Sequence, residues 1–204
     1  MSTTAKVATT VAPAVPRNPW LGKLIWSDLE AFASLKGRNV RSPIGLIDVL
    51  LHPGVMAVIL WRLASFFHRW YLRPISRVLY ILNLMLFSCE LMPSATIGPG
   101  FAMPHPVGVG VGHTTVVGRN VRLLGLVRLG GTWGTPGQPV VGDDCWLLDG
   151  AKVFGAVHIG DRAIVAADSL VLHDVPPNMV AAGRPARVIK TRDEFEAEAA
   201  GATS

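Results

Sequence analysis

The sequence predicts a mainly β fold: a parallel β-helix wound from hexapeptide repeats and preceded by an α-helical N-terminal domain. Three observations carry that expectation. A six-residue apolar period runs through the second half of the chain, a helical period runs through the first, and the composition suits many short strands closed by turns. Of the 204 residues half are apolar, only 7% are aromatic and 16% are charged, with 21 Gly and 15 Pro. A disordered chain would carry far fewer aliphatic side chains.

The helical signal occupies residues 21–90. Residues 1–20 are rich in Thr, Ala and Pro, lack the continuous apolar run of a secretory signal, and read as a mobile tail. Ser27 followed by Glu30 has the spacing of a capping box. Pro53 and Gly54 then open a segment to Tyr71 in which Val55, Val58, Ile59, Leu63, Phe66 and Phe67 recur at three-and-four spacing, as on one face of a helix. A further helix is expected over 75–88, after Pro74.

The β-helix is expected over 91–175, closed by a C-terminal segment and tail over 176–204. Aliphatic residues head successive hexads at Val111, Val117, Leu123 and Leu129, and again at Val141, Leu147, Val153, Ile159, Val165 and Val171. Gly follows the head at 112, 118, 130, 142 and 160, where it is expected to supply turn dihedrals. A small or β-branched residue falls four after the head, as at Thr115, Val121, Cys145, Ala151 and Ser169. Each hexad supplies one strand and one turn, three make a triangular coil, and the heads stack inward from coil to coil. Leu91, Ile97 and Met103 share an earlier phase that slips by two residues at Pro104–Gly108, and the segment 132–139 lacks an aliphatic head. Such breaks in a regular solenoid are where function concentrates.

The formal net charge of +5 suits an anionic partner, but no Arg/Lys–aromatic module points to nucleic acid. Two cysteines, Cys89 and Cys145, give neither a disulfide framework nor a zinc motif, and a reducing cytoplasm is the default expectation. The apolar run 78–87 is too short to span a bilayer. Packing inside an oligomer is the first reading of these apolar helices. Peripheral membrane contact, with Arg69, Arg73 and Arg77 near lipid phosphates, is the second.

The words LHPG (51–54), CELMPSATIGPG (89–100), MPHPVGVGVG (103–112), VRLGGT (127–132) and LHDVPPNMVAAGRPARVIK (172–190) resemble the serine acetyltransferases of the hexapeptide-repeat acyltransferase superfamily. The resemblance spans residues 51–190. It implies a left-handed β-helix, acetyl-CoA as co-substrate without a metal, and a homotrimer with acetyl-CoA in the grooves between prisms. The helical domain leaves a dimer of trimers open. In the family, a histidine fifteen positions after an acidic residue takes the proton of the acceptor hydroxyl, which maps onto Glu90 and His105. Standing alone, a histidine between two prolines suits a structural role as well. As a pair the two make chemical sense, since neutral imidazole accepts a proton near neutral pH and a carboxylate fixes its tautomer.

By register with the family, Gly131, Asp149 and Ala167 are the cofactor-groove positions, Asp149 replacing the usual small residue. Arg184, Arg187 and Lys190 are the candidates for the nucleotide phosphates. Family members carry an Arg-His pair after GGT to hold serine, where this chain has Gly137-Gln138. His113, Trp133 and Gln138, with Trp146, are therefore the candidate acceptor-site residues. The missing cation, and wording close to transferases of polysaccharide biosynthesis, favour a sugar or glycan hydroxyl as acceptor. Serine, or a non-catalytic scaffold, is the alternative.

Overall fold

The computed structural model describes residues 20–134 and 136–201, so most of the expected tail lies outside the described residues. Four helices come first: α1 (Leu21–Leu35), α2 (Pro43–Leu50), α3 (Pro53–Arg69) and α4 (Arg73–Phe87). Pro at the first turn of α2, α3 and α4 fits because that position has no intrahelical use for an N–H. The expected capping box at Ser27 does not form. α1 begins six residues earlier, and Ser27 Oγ donates to the Leu24 carbonyl and accepts from Gly100 N–H at 3.1 Å. A tertiary contact with the prism uses the hydroxyl that sequence spacing assigned to a cap. α2 had no separate sequence signal; Ser42 caps it by accepting from Gly45 N–H.

From residue 90 the chain winds into a left-handed parallel β-helix, as the sequence predicts. Twelve short strands, β1 (Glu90–Leu91) to β12 (Leu170–Val171), distribute over three faces, which β13 (Met179–Gly183) and the antiparallel β14 (Ala186–Thr191) then close. Face A stacks β1, β3 (Gly110–Val111), β6 (Arg128–Gly130), β9 (Lys152–Phe154) and β12; face B carries β2 (Thr96–Ile97), β4 (Val116–Val117), β7 (Val140–Val141) and β10 (His158–Ile159); face C carries β5 (Arg122–Leu123), β8 (Trp146–Leu147), β11 (Ile164–Val165), β13 and β14. A C-terminal helix, α5 (Arg192–Gly201), follows.

Every expected head, from Leu91 to Val171, is at most 2% exposed, and Thr115, Val121, Cys145, Ala151 and Ser169, four residues after their heads, are equally buried; at the two breaks Val107 and Trp133 point outward instead. Each fully buried aliphatic side chain contributes roughly 1.5–3 kcal/mol, so this ladder is the core that the small aromatic content could not supply. The glycines after the heads serve a different purpose from the expected one. Their φ angles are ordinary; a β-carbon on Gly118 would lie 2.7 Å from the Gly142 carbonyl oxygen one coil on. Left-handed φ falls elsewhere, on Gly100, Asn120, Asp144, Arg162 and Asn178 at the corner between faces B and C, and on Gly108, Leu126, Gly150 and Asp168 at the corner between faces C and A.

Cys89 and Cys145 are buried and unpaired, and burial pushes both thiols up to about 12. The helical domain is joined to the first coil by an ion pair that is itself buried. Arg62 on α3 donates to both Asp28 oxygens (2.8 and 3.0 Å) and to the carbonyls of Ile97 and Gly98, while Asp28 also accepts from Phe101 N–H. Burial raises the Asp28 carboxyl, and the Arg62 guanidinium opposes that shift. No single helix is long and apolar enough to cross a membrane among the described residues.

Candidate active site

The corner between faces C and A carries the phase slip at Pro104–Gly108. Gly108 N–H donates to Ser88 O and Glu90 N–H to Val109 O, which ties this longer turn to β1. From inside it is held by α3, whose Gly54 lies directly against the Met103 and Pro104 backbone. His105, flanked by two prolines, stands exposed at this corner, as a base that meets a diffusible alcohol must.

Beside it opens a cleft of about 230 Å³, lined by Leu35 and Lys36 from the end of α1, by Pro104 and His105, and by Arg122 and Trp146 on face C. Arg122 lies over the Trp146 ring, 4.7 Å from its centroid, and Arg192 contacts the same ring at 4.2 Å. Burial holds the Arg122 guanidinium below its ordinary value, and the neighbouring Arg192 charge acts in the same direction. His52, the N-cap of α3, accepts from Gly54 N–H through Nδ1. Burial, then the charges of Lys36 and His105, lower its pKa.

Glu90 does not orient His105. Its carboxylate accepts from Tyr80 on α4 and from Arg128 on face A, both at 3.4 Å, and the His105 ring makes no hydrogen bond among the described residues. The expected acid–base pair is therefore open, because the outward side chain of a face A strand meets its neighbours on that face instead. Burial and the Glu90 charge raise the Tyr80 phenol.

The groove candidates divide between two edges. Asp149 and Ala167 continue the His105 edge, with Asp149 Oδ1 accepting from Gly125 N–H so that its side chain folds back along the prism. Arg184 extends that edge by pairing with Asp168 at 2.8 Å, and Arg187 is exposed nearby. Lys190 is committed to Glu198 on α5 and lies over the Phe195 ring. Gly131, Trp133, Gln138 and His113 occupy the A–B edge. There Gln138 contacts His113 Nδ1 at 2.9 Å and accepts from Thr114 N–H and the Thr115 hydroxyl, while Trp133 is wholly exposed. One chain does not bring the two groups together. No cluster of three or more His, Cys, Asp or Glu suited to a metal occurs among the described residues. Arg122 and Lys36 had escaped sequence reading, since single outward cations leave no periodic trace.

No protein-family model matches the chain. It is 37% identical over 147 residues to a serine acetyltransferase of Helicobacter pylori, covering 71% of this chain and 85% of that one. Among solved structures, a soybean serine acetyltransferase complexed with serine superposes with a TM-score of 0.75 at 35% identity, covering 84% of this chain and 70% of that one. A Brucella abortus serine acetyltransferase in complex with coenzyme A gives 0.77 at 31% identity, covering 85% and 69%. These relatives overturn the expected sugar or glycan acceptor and the polysaccharide-type assignment: the enzymes that share this chain's fold and wording are serine acetyltransferases. The expectation of an O-acetyltransferase using acetyl-CoA stands. With a β-helix of the form those enzymes share, and 37% identity to the Helicobacter enzyme over 147 residues, the chain belongs to the serine acetyltransferase family.

Proposed function

We propose that this protein transfers the acetyl group of acetyl-CoA to the hydroxyl of L-serine, with His105 as general base. The carrying observation is the exposed His105 ring at the rim of a cleft walled by Arg122 and Trp146. His105 takes the hydroxyl proton as the serine oxygen attacks the thioester carbonyl. The carbon–sulfur bond then breaks, and the same proton passes to the departing sulfur. One base serves both halves of the transfer.

The site is completed by assembly. Gly131 and the Gln138–His113 contact sit on a different edge from His105, Asp149 and Arg184. Apolar Val107 and Leu126, each about 60% exposed beside His105, offer a surface for a neighbouring protomer. A homotrimer in which the A–B edge of one prism meets the His105 edge of the next brings these groups into one groove. Arg184 and Arg187 then face the cofactor phosphates.

Release of CoA thiol from acetyl-CoA, with and without L-serine, tests the reaction. Serine-dependent release supports it, and release no faster than the serine-free background ends it. A solution mass of about 65 kDa, three chains of 21.8 kDa, or a multiple of it, checks the assembly.

A further inference from the structure

We infer that Arg122, with Lys36, anchors the carboxylate of the hydroxyl acceptor in the cleft beside His105. This rests on the serine acetyltransferase reading and supplies what the chain otherwise lacks. The segment 133–139 after GGT contains no Arg or Lys, and Gln138 spends its amide on Thr114, Thr115 and His113. Elsewhere on the prism and its cap, Arg119, Arg128, Arg162, Arg184 and Arg192 each pair with a carboxylate. Arg122 has neither an ion pair nor a hydrogen bond from its guanidinium among the described residues. Its guanidinium carbon lies 4.7 Å from the Trp146 ring centroid, and its N–H groups, bonded to no described residue, suit two parallel bonds to a carboxylate.

The cleft's chemistry agrees. No acidic residue lines it, Lys36 adds a second positive charge, and the base stands at its rim. Its volume of about 230 Å³ falls below the roughly 300–1,000 Å³ of pockets that take drug-sized ligands, which suits an amino acid.

Steady-state kinetics with L-serine and with L-serinamide, whose carboxylate is replaced by a neutral amide, separate the outcomes. Arg122→Gln is expected to raise the KM for serine roughly tenfold to a hundredfold, the loss of a charge-assisted contact. The serinamide KM, the acetyl-CoA KM and kcat should move less than about threefold, and Arg122→Lys should recover part of the serine affinity. An unchanged serine KM, or an acetyl-CoA KM rising in step with it, overturns the inference while leaving the acetyltransferase intact. Absence of serine turnover in the unmodified protein removes both.

A separate observation concerns α4, which packs inside-out. Its buried residues are Ser76 and Asn83, the latter donating to the Ala57 carbonyl, while Ile75, Val78, Ile81, Leu82, Met85 and Leu86 are 40–75% exposed. Trp70 and Tyr71 project from the preceding turn. Arg69, Arg73 and Arg77 are exposed and free of ion pairs among the described residues, and no acidic residue occurs between Asp48 and Glu90. We propose that this face docks in the plane of an anionic lipid surface, where apolar side chains enter the acyl boundary and guanidiniums meet phosphates.

Flotation of the full chain with phosphatidylglycerol-containing and pure phosphatidylcholine vesicles tests it. Expected are binding to the anionic vesicles alone, its loss in Val78→Glu/Leu82→Glu, and its weakening in Arg73→Glu/Arg77→Glu. No flotation with either vesicle overturns it. So does a Val78→Glu/Leu82→Glu protein that changes oligomeric state but floats as before, since a second copy then covers the face.

Discussion

Gly54 and Met103 meet backbone to backbone: a β-carbon on Gly54 would lie 1.9 Å from the Met103 carbonyl oxygen. The contact sets the first turn of α3 against the segment that carries His105, so the helical domain acts as a buttress for that segment. Gly54→Ala should force the two apart, at about 1–3 kcal/mol, the usual cost of overpacking. Acetyl transfer should fall with stability. Thermal melts and kcat on the same preparation check both, and a variant with unchanged values of each contradicts the buttress.

Removing one member of the Asp28–Arg62 pair strands a buried charge. Arg62→Met is expected to cost about 3–5 kcal/mol. Asp28→Leu combined with Arg62→Met should be less destabilised than Arg62→Met alone, because no charge is then orphaned. Chemical denaturation of the three proteins gives the comparison.

His105→Ala should lower kcat by roughly 10²–10⁴-fold, as for the loss of a general base, with CoA affinity retained. Glu90→Gln should lower it less than about tenfold. Its carboxylate makes only long contacts, to Tyr80 and Arg128, and none to the base. Equal losses in the two variants would mean that Glu90 swings onto His105 during turnover.

The cap at His52 makes stability depend on pH. Its folded-state pKa lies below the ordinary histidine value of about 6.5. Below that value the unfolded chain binds the proton more readily than the folded one. Stability therefore declines as pH drops from about 6.5, and the decline levels off beneath the folded value. Protonation at Nδ1 would also remove the acceptor for Gly54 N–H. His52→Asn, which can still cap, should flatten the difference between melting temperatures at pH 7.5 and 5.5.

The prism was legible because a six-residue period has no competing interpretation; every head from Leu91 to Val171 faces inward. The helix at 43–50 was not, since eight residues are too few to display a helical period, and Pro53 and Gly54 marked only the start of the helix that follows. His105 stood out through its prolines and the phase slip, but its assignment as a base came from the family resemblance. Its relation to Glu90 was not legible, because spacing along a chain does not say which way an outward side chain turns. Arg122 lay hidden for a related reason: its meaning depends on the absence of a partner, and that is a property of space.

The two sequestered thiols have a practical corollary. Burial holds both thiols far above the ordinary range and out of reach of solvent, so disulfide reagents such as Ellman's should leave the folded protein untouched. Colour in such an assay then counts only the sulfhydryl liberated from the acyl donor, and a slow rise without substrate would time the unwinding of the coils.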